Sequence, residues 1–306
     1  MEQRVIKRVA AIHDLSGFGR ASLTAIIPTL SSMGVQVCPL PTAILSNHTG
    51  GFDHYSFVDL TDTMEEYIDR WKRLNLTFDC IYSGFLGSVR QIEIVAGFLD
   101  HFGGEDTLAV VDPVMGDNGR LYSSMKPEIT EEMKKLVGKA DIITPNFTEA
   151  AFLLGEPYRE EITDEEVKAW LLRLSEMGPR TVIITSVPGR RVTGQVQSED
   201  TNVIAYDRPG NAFWKVGCRY IPAFYPGTGD TFTSVIIGSL LQGDSLPVAI
   251  DRGVQFISQC IKASYGFDYP RREGVLLEKE LDDLKGDIHK FQVAFPQDGA
   301  VEQLEK

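Results

Sequence analysis

The chain has 306 residues, of which 43% are hydrophobic and 24% charged, so it can bury a substantial core and is neither disordered nor fibrous. Its 43 acidic and 30 basic residues give a net charge of −13, which argues against nucleic acid or an anionic membrane as a partner. The four cysteines are widely spaced and contain no CxxC pair, so neither a disulfide framework nor a zinc site is indicated. A reduced, cytoplasmic setting is expected.

The N-terminal residues interleave charged and apolar side chains and lack the apolar core and cleavage site of a signal peptide. They are expected to form the first strand. The longest apolar stretch elsewhere, Phe232 to Leu241, is about half of the ~20 residues that a membrane span needs. The sequence therefore predicts a soluble protein.

Short β-rich runs alternate with longer helical runs along the first two thirds of the chain. The predicted strands are Val5–Ile12, Val35–Pro39, Asp79–Tyr82, Thr107–Val111, Asp141–Thr144 and Thr181–Thr185. The predicted helices between them are Ala21–Met33, Thr61–Leu74, Val89–Phe102, Pro127–Lys139 and Asp164–Met177. This alternation predicts an α/β fold of three layers, in which a doubly wound, mostly parallel central sheet has helices on both faces.

The last third of the chain follows a different pattern. Two short strands flank Asp207-Arg208-Pro209-Gly210, a turn signal that predicts an antiparallel hairpin at the sheet edge. Long helices are expected over Thr228–Gln242 and Pro247–Tyr265, and a surface helix followed by a loosely held end is expected from Leu276. We expect one domain over residues 1–286 and an acidic tail over 287–306.

The strongest chemical signal is PGTGDTF, residues 226–232, where an irregular segment meets a long apolar helix. Two glycines permit close approach of a ligand, and the free N–H groups of a first helical turn suit a phosphate. Asp230 within that turn would lie beside the phosphate, where a carboxylate can accept the proton of an attacking hydroxyl. Alternatively, Thr228 or Asp230 simply caps the helix.

Two further polar clusters follow predicted strands. DPVMGDNG begins at Asp112, and TPNFTE places Asn146 and Glu149 at the start of a helix. The carboxyl ends of strands are the edge where α/β sheets bind ligands, and oxygen ligands of this kind suit Mg²⁺ accompanied by nucleotide phosphates. The first cluster therefore indicates a cation site on a mobile loop. The alternative is that Asp112 and Glu149 are ordinary turn and first-turn acids.

A glycine-rich segment, GFGRAS, lies between the first strand and the first helix. It is a weak dinucleotide-binding signal, because Ser22 replaces the third glycine and the expected ribose-binding acid is missing about 20 residues on. The GTGD segment in turn lacks a Walker lysine. Both the Rossmann and the P-loop interpretations are therefore disfavoured.

Taken together, these motifs resemble the pyridoxal kinase family of the ribokinase-like superfamily. The segments that carry the resemblance lie in one consistent order across roughly residues 9–265: AIHDLSGFGRASLTA, PLPTAILSNHTGG, YSGFLGS, VVDPVMGDNG, DIITPNFTEAAFLLG and PGTGDTF. The resemblance implies ATP-dependent phosphorylation of the 5′-hydroxyl of pyridoxal, pyridoxamine or pyridoxine. It also implies Mg²⁺, often with a monovalent cation, and a homodimer.

Roles for individual residues follow from the matching motifs. The resemblance implies that Asp230 is the catalytic base and that Gly227, Thr228 and Gly229 form the anion hole. It places Asp112, Thr144 and Glu149 at the metal, and Asp117, Asn146 and Thr185 on the nucleotide and phosphate side.

The substrate pocket departs from the family pattern at two positions. Asp14, Ser16, Thr42, His48 and Phe85 match pocket positions of the family. Asp14 stands where a serine is often found, with Ser16 two residues later, so either of them could meet the pyridine ring. Phe85 replaces a tyrosine of several relatives and removes a hydroxyl from the pocket. His48 also has a structural interpretation, as a histidine that caps a loop before the following glycines.

Two rival functions remain open. A hydroxymethylpyrimidine kinase shares this fold and can share activity on B6 vitamers, although DPVMGDNG and SNHTG are closer to the pyridoxal kinase branch. A catalytically silent B6-binding protein on the same scaffold is disfavoured, because the GTGD aspartate and both acidic clusters are intact.

Overall fold

The computed structural model describes residues 5–123, 125–189, 201–218, 221, 223–285 and 301–304. Its strands are β1 (Arg8–Ser16), β2 (Gln36–Leu45), β3 (Phe57–Asp59), β4 (Cys80–Ser83), β5 (Leu108–Val111), β6 (Gly116–Asp117), β7 (Arg120–Leu121), β8 (Ile142–Ile143), β9 (Thr181–Pro188), β10 (Thr201–Asp207), β11 (Ala212–Cys218) and β12 (Val301–Leu304). Its α-helices are α1 (Leu23–Ser32), α2 (Thr61–Arg73), α3 (Val89–Phe102), α4 (Glu128–Val137), α5 (Phe147–Leu154), α6 (Asp164–Glu176), α7 (Thr228–Gln242) and α8 (Leu246–Tyr265).

Ten strands form one sheet in the order β12-β11-β10-β9-β8-β5-β4-β1-β2-β3. The six strands from β9 to β2 in this order are parallel, and antiparallel strands extend the sheet on both sides. The central strands β4 and β5 are short and almost wholly buried, as expected for parallel strands that are covered on both faces. The predicted α/β fold is confirmed.

Helices cover the two faces of the sheet in separate groups. Buried residues of α2 to α6 pack on one face, and buried residues of α1, α7 and α8 pack on the other. The second group has a further apolar layer behind it, in which Met33, Val235 and Phe256 contact residues of the chain after α8. This arrangement places the N-terminus of α7 against the segment that joins β1 to α1.

The predicted surface helix from Leu276 is wrong. The chain there forms 3₁₀ turns at Leu277–Lys279 and Leu281–Lys285, after an earlier one at Arg271–Glu273. Leu277 and Leu284 are buried in the apolar layer behind α1, α7 and α8, so packing rather than helical periodicity sets their conformation.

Strand bounds differ from the sequence prediction mainly in the first strands. β1 begins three residues later than predicted and extends to Ser16, while β2 continues to Leu45 through Pro39 and Pro41. The pairing of β1 with β2 on one side and β4 on the other decides these bounds. In the parallel register of β1 and β2, Pro39 and Pro41 lie opposite Ala11 and His13.

The end of the chain pairs with the sheet. β12 runs antiparallel to β11, beyond the predicted β10–β11 hairpin. Of the predicted tail over 287–306, residues 287–300 and 305–306 lie outside the described residues. Within the described part of the chain, no helix has both the length and the apolar character to cross a membrane.

Candidate active site

The predicted site residues gather at the carboxyl edge of the parallel strands. Asp14 lies near the end of β1, Asp112 directly follows β5 and Thr144 directly follows β8. Thr185 lies in β9, where it forms a bridge to Asn146 at the start of α5. The edge where α/β sheets bind ligands thus holds all the predicted clusters.

The start of α7 is open for an anion. Gly227 precedes the helix with a φ of +80°, and a Cβ there would lie 2.0 Å from the carbonyl oxygen of Arg20, so only glycine fits. No side chain caps the helix, and the Thr228 hydroxyl donates backwards to the Tyr225 carbonyl at 3.2 Å. The N–H groups of the first turn, with the positive end of the helix dipole, are therefore available to a phosphate.

Asp230 lies in this first turn and does not cap it. Its Oδ2 accepts a hydrogen bond from the backbone N–H of Ser22 at 2.8 Å, and its side chain is 15% exposed. Burial raises the pKa of Asp230 to about 7, with the charge of Asp14 adding to the effect and the Ser22 amide opposing it. The capping alternative for Asp230 is therefore wrong, and the carboxyl group is suited to exchange a proton near neutral pH.

Asp112 and Glu149 form a buried acidic pair beside Asp230. Burial raises the pKa of Asp112 well above its usual range, and the charges of Glu149 and Asp230 raise it further. Burial likewise raises the pKa of Glu149 to about 8, although backbone N–H groups partly offset the effect. The carboxyl groups of Asp112, Glu149 and Asp230 thus lie in one region with little access to water.

Glu149 also has the structural role that the alternative interpretation gave it. Its Oε2 accepts from the Asn146 backbone N–H at 2.9 Å, while Asn146 Oδ1 accepts from the Glu149 N–H, so the two form a capping box for α5. Its Oε1 accepts from the Met115 N–H at 3.0 Å. The Gly116 N–H also approaches Oε1, at 3.5 Å, so Oε2 is the oxygen with a further lone pair for another ligand.

The segment predicted as a mobile loop contains a short hairpin, β6–β7 (residues 116–121), that is tied to α5. The Asn146 side-chain amide donates to the Gly116 carbonyl at 2.8 Å, and the Gly119 N–H donates to the Thr148 hydroxyl at 3.0 Å. Asp117 lies on this hairpin, half-buried, and burial raises its pKa. The hairpin therefore holds Asp117 beside the capped start of α5.

The threonines of the metal and nucleotide side are held by neighbouring elements. The Thr233 hydroxyl of α7 donates to the Thr144 hydroxyl at 3.0 Å, and both side chains are buried. The Thr185 N–H donates to the Pro145 carbonyl at 3.0 Å. These contacts join the ends of β8 and β9 to the starts of α5 and α7.

Asp14 and Ser16 act together in the pocket. The hydroxyl groups of Ser16 and Ser22 donate to the two carboxylate oxygens of Asp14 at 3.0 and 2.6 Å. All three residues are buried. Of the two predicted ring-binding residues, Asp14 is thus the acceptor that organises the serines around it.

Thr42, Phe85 and His48 occupy the region near β2. Thr42 is buried and its hydroxyl lies 3.4 Å from the Phe85 carbonyl. Both ring nitrogens of His48 bind backbone groups, Nε2 at 2.6 Å from the Arg272 carbonyl and Nδ1 accepting from the Gly50 N–H at 3.1 Å. His48 therefore has the loop-capping role as well, and both of its ring nitrogens are already engaged with the backbone.

Two residues of this site were not among the predicted site residues. Ser22 bonds to both Asp14 and Asp230, and its replacement of a glycine in GFGRAS was the available sequence signal. His13 is fully buried with Nδ1 3.8 Å from Asp230 Oδ1, and burial lowers its pKa to about 3, so it is neutral. A histidine beside an aspartate at a strand end carries no pattern that specifies this packing.

A divalent cation fits the acidic pair. Within the described residues, no three His, Cys, Asp or Glu side chains cluster into a complete metal cage. Burial raises the pKa of both carboxyl groups, and the charge of Glu149 raises the pKa of Asp112 further, so a cation between them would stabilise their charged forms. Mg²⁺ commonly takes one or two carboxylates and completes its shell with phosphates and water.

An open helix start, an adjacent buried aspartate and an acidic pair at the edge of a parallel sheet define a small-molecule kinase of the ribokinase-like class. Residues 17–274 match the family described as Phosphomethylpyrimidine kinase. The chain belongs to this family, and its similarity to solved pyridoxal kinases confirms the predicted resemblance and fold.

Three proteins illustrate the similarity. A phosphomethylpyrimidine kinase candidate from Bacteroides thetaiotaomicron, crystallised with pyridoxal, is 55% identical with a TM-score of 0.89 over 98% of this chain and 100% of that one. Pyridoxal kinase from Lactobacillus plantarum is 30% identical with a TM-score of 0.81 over 92% and 97%. The curated pyridoxal kinase of Rubrobacter xylanophilus is 28% identical over 79% of this chain and 82% of its own length.

Proposed function

We propose that this chain is an ATP-dependent kinase that phosphorylates the 5′-hydroxyl of pyridoxal, pyridoxamine or pyridoxine. The observation that carries the proposal is Asp230, a partly buried carboxyl group with a pKa of about 7 in the open first turn of α7. Its two neighbours in that turn, Thr228 and Gly229, present N–H groups to the same place. The relatives named pyridoxal kinase supply the substrate class.

The geometry assigns distinct tasks to the residues of the site. The N–H groups of residues 227–229 would hold the transferring phosphoryl group, and the helix dipole would stabilise its charge. Asp230 Oδ1, opposite the oxygen that Ser22 holds, would accept the proton of the substrate hydroxyl. Asp117, Asn146 and Thr185 would contact the nucleotide and its phosphates, and the β6–β7 hairpin would exclude water from them.

The proposal includes a Mg²⁺ ion, which Asp112 and Glu149 would bind, with Thr144 next to the ion. When bound, the ion would neutralise phosphate charge. Asp112 contributes a buried carboxylate, and the capping box fixes the orientation of Glu149. A monovalent cation on the Thr144 side is an expectation from the family resemblance.

The pocket residues would recognise the pyridine ring. Asp14 and Ser16 offer a carboxylate and a hydroxyl that are already bonded to each other, and Thr42 offers a second hydroxyl. The His48 ring, held through both nitrogens, would present its face. Phe85 contributes an apolar wall.

The decisive experiment is turnover of Asp230→Asn with pyridoxal and Mg·ATP. Asparagine keeps the shape and can accept the Ser22 N–H but cannot take a proton. We expect turnover to fall by about 10²–10⁴-fold, the usual contribution of a positioned base, with ATP affinity little changed.

A matched control is Asp251→Asn, since Asp251 is a buried carboxyl group on α8 whose pKa is also raised by burial. We expect this variant to keep wild-type turnover. Retention of most activity by Asp230→Asn, at saturating pyridoxal, would remove Asp230 as the base and with it the proposed mechanism.

A second candidate function, hydroxymethylpyrimidine kinase, is favoured by the names of the matching family and of the 55% identical relative, which both refer to phosphomethylpyrimidine kinase. The presence of pyridoxal in the crystals of that relative favours B6 vitamers. Comparison of kcat/KM for hydroxymethylpyrimidine and each vitamer separates the two. We expect at least a tenfold preference for a B6 vitamer, and the reverse preference would establish the pyrimidine kinase instead.

A single kinase domain over residues 1–286, an acidic tail over 287–306, a homodimer and a cytoplasmic location complete the proposal. The silent B6-binding alternative predicts vitamer binding without turnover, and the wild-type assay tests it directly.

A further inference from the structure

Ser22 has a backbone conformation that serine rarely adopts. Its φ is +51° and its ψ is −136°, in a region that glycine occupies freely and other residues occupy only with strain. The residue is 8% exposed and lies between β1 and α1. Something in the surrounding structure must hold this strained conformation.

The serine side chain is not used for the task that its position suggests. Ser22 is the N-cap residue of α1, where a serine hydroxyl ordinarily accepts a hydrogen bond from a first-turn N–H. Its hydroxyl makes no such cap bond. It donates instead to Asp14 Oδ1 at 2.6 Å.

The backbone of the same residue holds the proposed base. The Ser22 N–H donates to Asp230 Oδ2 at 2.8 Å. Asp230 lies on α7, more than two hundred residues later in the chain. Ser22 therefore connects a residue of the predicted ring pocket, Asp14, with the proposed base, Asp230. The direction of its N–H depends on the positive φ.

We propose that Ser22 is a positioning residue: its hydroxyl bond to Asp14 holds the strained backbone so that its amide fixes Asp230 Oδ2 and leaves Oδ1 for the substrate proton. The inference rests on the proposed function, in which Asp230 is the base. It adds that the pocket and the base are aligned through one residue.

The test compares two substitutions that both remove the hydroxyl. Alanine is as disfavoured as serine at a φ of +51° but cannot make the hydrogen bond to Asp14. We therefore expect the backbone to relax to a negative φ and the N–H of residue 22 to lose its hydrogen bond to Asp230. Glycine also loses the hydrogen bond to Asp14 but adopts a φ of +51° without strain, so the N–H of residue 22 can keep its hydrogen bond to Asp230. We expect Ser22→Ala to lose kcat at least tenfold and Ser22→Gly to keep kcat at least fivefold above Ser22→Ala, with the KM for ATP changed less than threefold in both.

A purely structural role predicts a different result. If the hydroxyl only stabilises the fold, kcat of the folded fraction stays at the wild-type value in both variants. If the hydroxyl contacts substrate directly, alanine and glycine lose activity equally. Either outcome overturns the proposal. Thermal unfolding measures the folded fraction, and Ser22→Cys, with a weak donor on the same strained backbone, replaces the alanine variant should that one not fold.

Asn75 provides a matched control for the effect of strain. It has a φ of +50° at an exposed turn after α2. Asn75→Ala and Asn75→Gly should differ in stability but not in kcat. Asp230→Asn is measured in parallel, because an active Asp230→Asn enzyme refutes the base itself, whereas an inactive one with a fully active Ser22→Ala enzyme refutes only the role of Ser22.

Discussion

At the scale of single residues, the site keeps carboxyl groups in a place that disfavours their charge. The pKa of Asp230 in the folded protein is about 7, against 3.8 for the ordinary group. Because one pKa unit corresponds to about 1.4 kcal/mol, ionised Asp230 lowers the free energy of unfolding by up to about 4 kcal/mol. A group suited to proton transfer is thus expected to destabilise the ligand-free fold.

This cost predicts that Asp230→Asn is more stable than the wild type at alkaline pH. A raised carboxyl pKa contributes stability that is present below pH ~4 and is lost as the pH rises through about 7. Asparagine does not ionise, so its advantage should be largest near pH 8 and should shrink towards pH 5. Urea unfolding of both ligand-free proteins across this range measures the difference.

Asp251→Asn is again the control variant. Burial also raises the pKa of Asp251, but by less than that of Asp230, so replacing it should change the pH dependence of stability less. An advantage of Asp230→Asn that is constant from pH 5 to pH 8 would contradict the assigned pKa, because a packing effect does not follow protonation.

At the scale of elements, the start of α7 depends on one close approach between distant parts of the chain. The Cα of Gly227 packs against the backbone of Arg20 and Ala21, and an added Cβ would meet the Arg20 carbonyl at 2.0 Å. This contact brings Asp230 next to Ser22. The helix start and the β1–α1 segment therefore form one unit.

We expect Gly227→Ala to destabilise the protein by about 2–4 kcal/mol and to abolish turnover, because both the clash and the positive φ oppose a side chain. Gly229→Ala is the matched comparison for stability. The atom nearest to its added Cβ is Asp112 Oδ2 at 4.0 Å, so there is room within the helix. Thermal unfolding of the two variants should separate them, and equal melting temperatures would contradict the close approach.

Elements with local signals were predictable from the sequence. α3 and α6 begin at the predicted residues because Ser88 and Thr163 cap them through the N–H groups of Gln91 and Glu166. The β10–β11 hairpin forms where predicted, with Asp207 accepting the Gly210 N–H. In each case the deciding hydrogen bonds join residues that are three apart in the sequence.

Features that depend on distant contacts were not predictable in the same way. The positive φ of Ser22 follows from bonds to Asp14 and Asp230, and the 3₁₀ turns after residue 276 follow from burial of Leu277 and Leu284. The order of the strands was not predicted, because the hydrophobic pattern indicates which segments form strands but not which strands are neighbours. The candidate site residues were predicted from motifs, while the hydrogen bonds between them were visible only in the structure.

At the scale of the whole molecule, one sheet edge carries exposed apolar side chains. β3 is the outermost strand next to β2, and Phe57 and Val58 on it are 46% and 54% exposed. Ile44 and Tyr55 are exposed nearby. An uncovered edge with such residues is a typical association surface, and isologous pairing would bury it in a homodimer.

We expect the protein to be a dimer in light scattering and Val58→Lys to weaken it at least a hundredfold, because the charge would be buried between two copies. Leu74→Lys is the control, since Leu74 is an exposed apolar residue just after α2. A monomeric wild type, or a dimer that tolerates lysine at position 58, would exclude this edge as the interface.

The two prolines of β2 limit how far the sheet can grow. The Gln36 N–H donates to Lys7, on the β1 side, so the alternation of a strand directs the backbone nitrogens of Pro39 and Pro41 to the outer side. Neither nitrogen carries a hydrogen. β3 accordingly pairs only with Ala43 to Leu45, and the remaining outer edge of β2 cannot template an extended chain. The same prolines that lie beside the predicted pocket thus protect the folded protein from strand-by-strand aggregation.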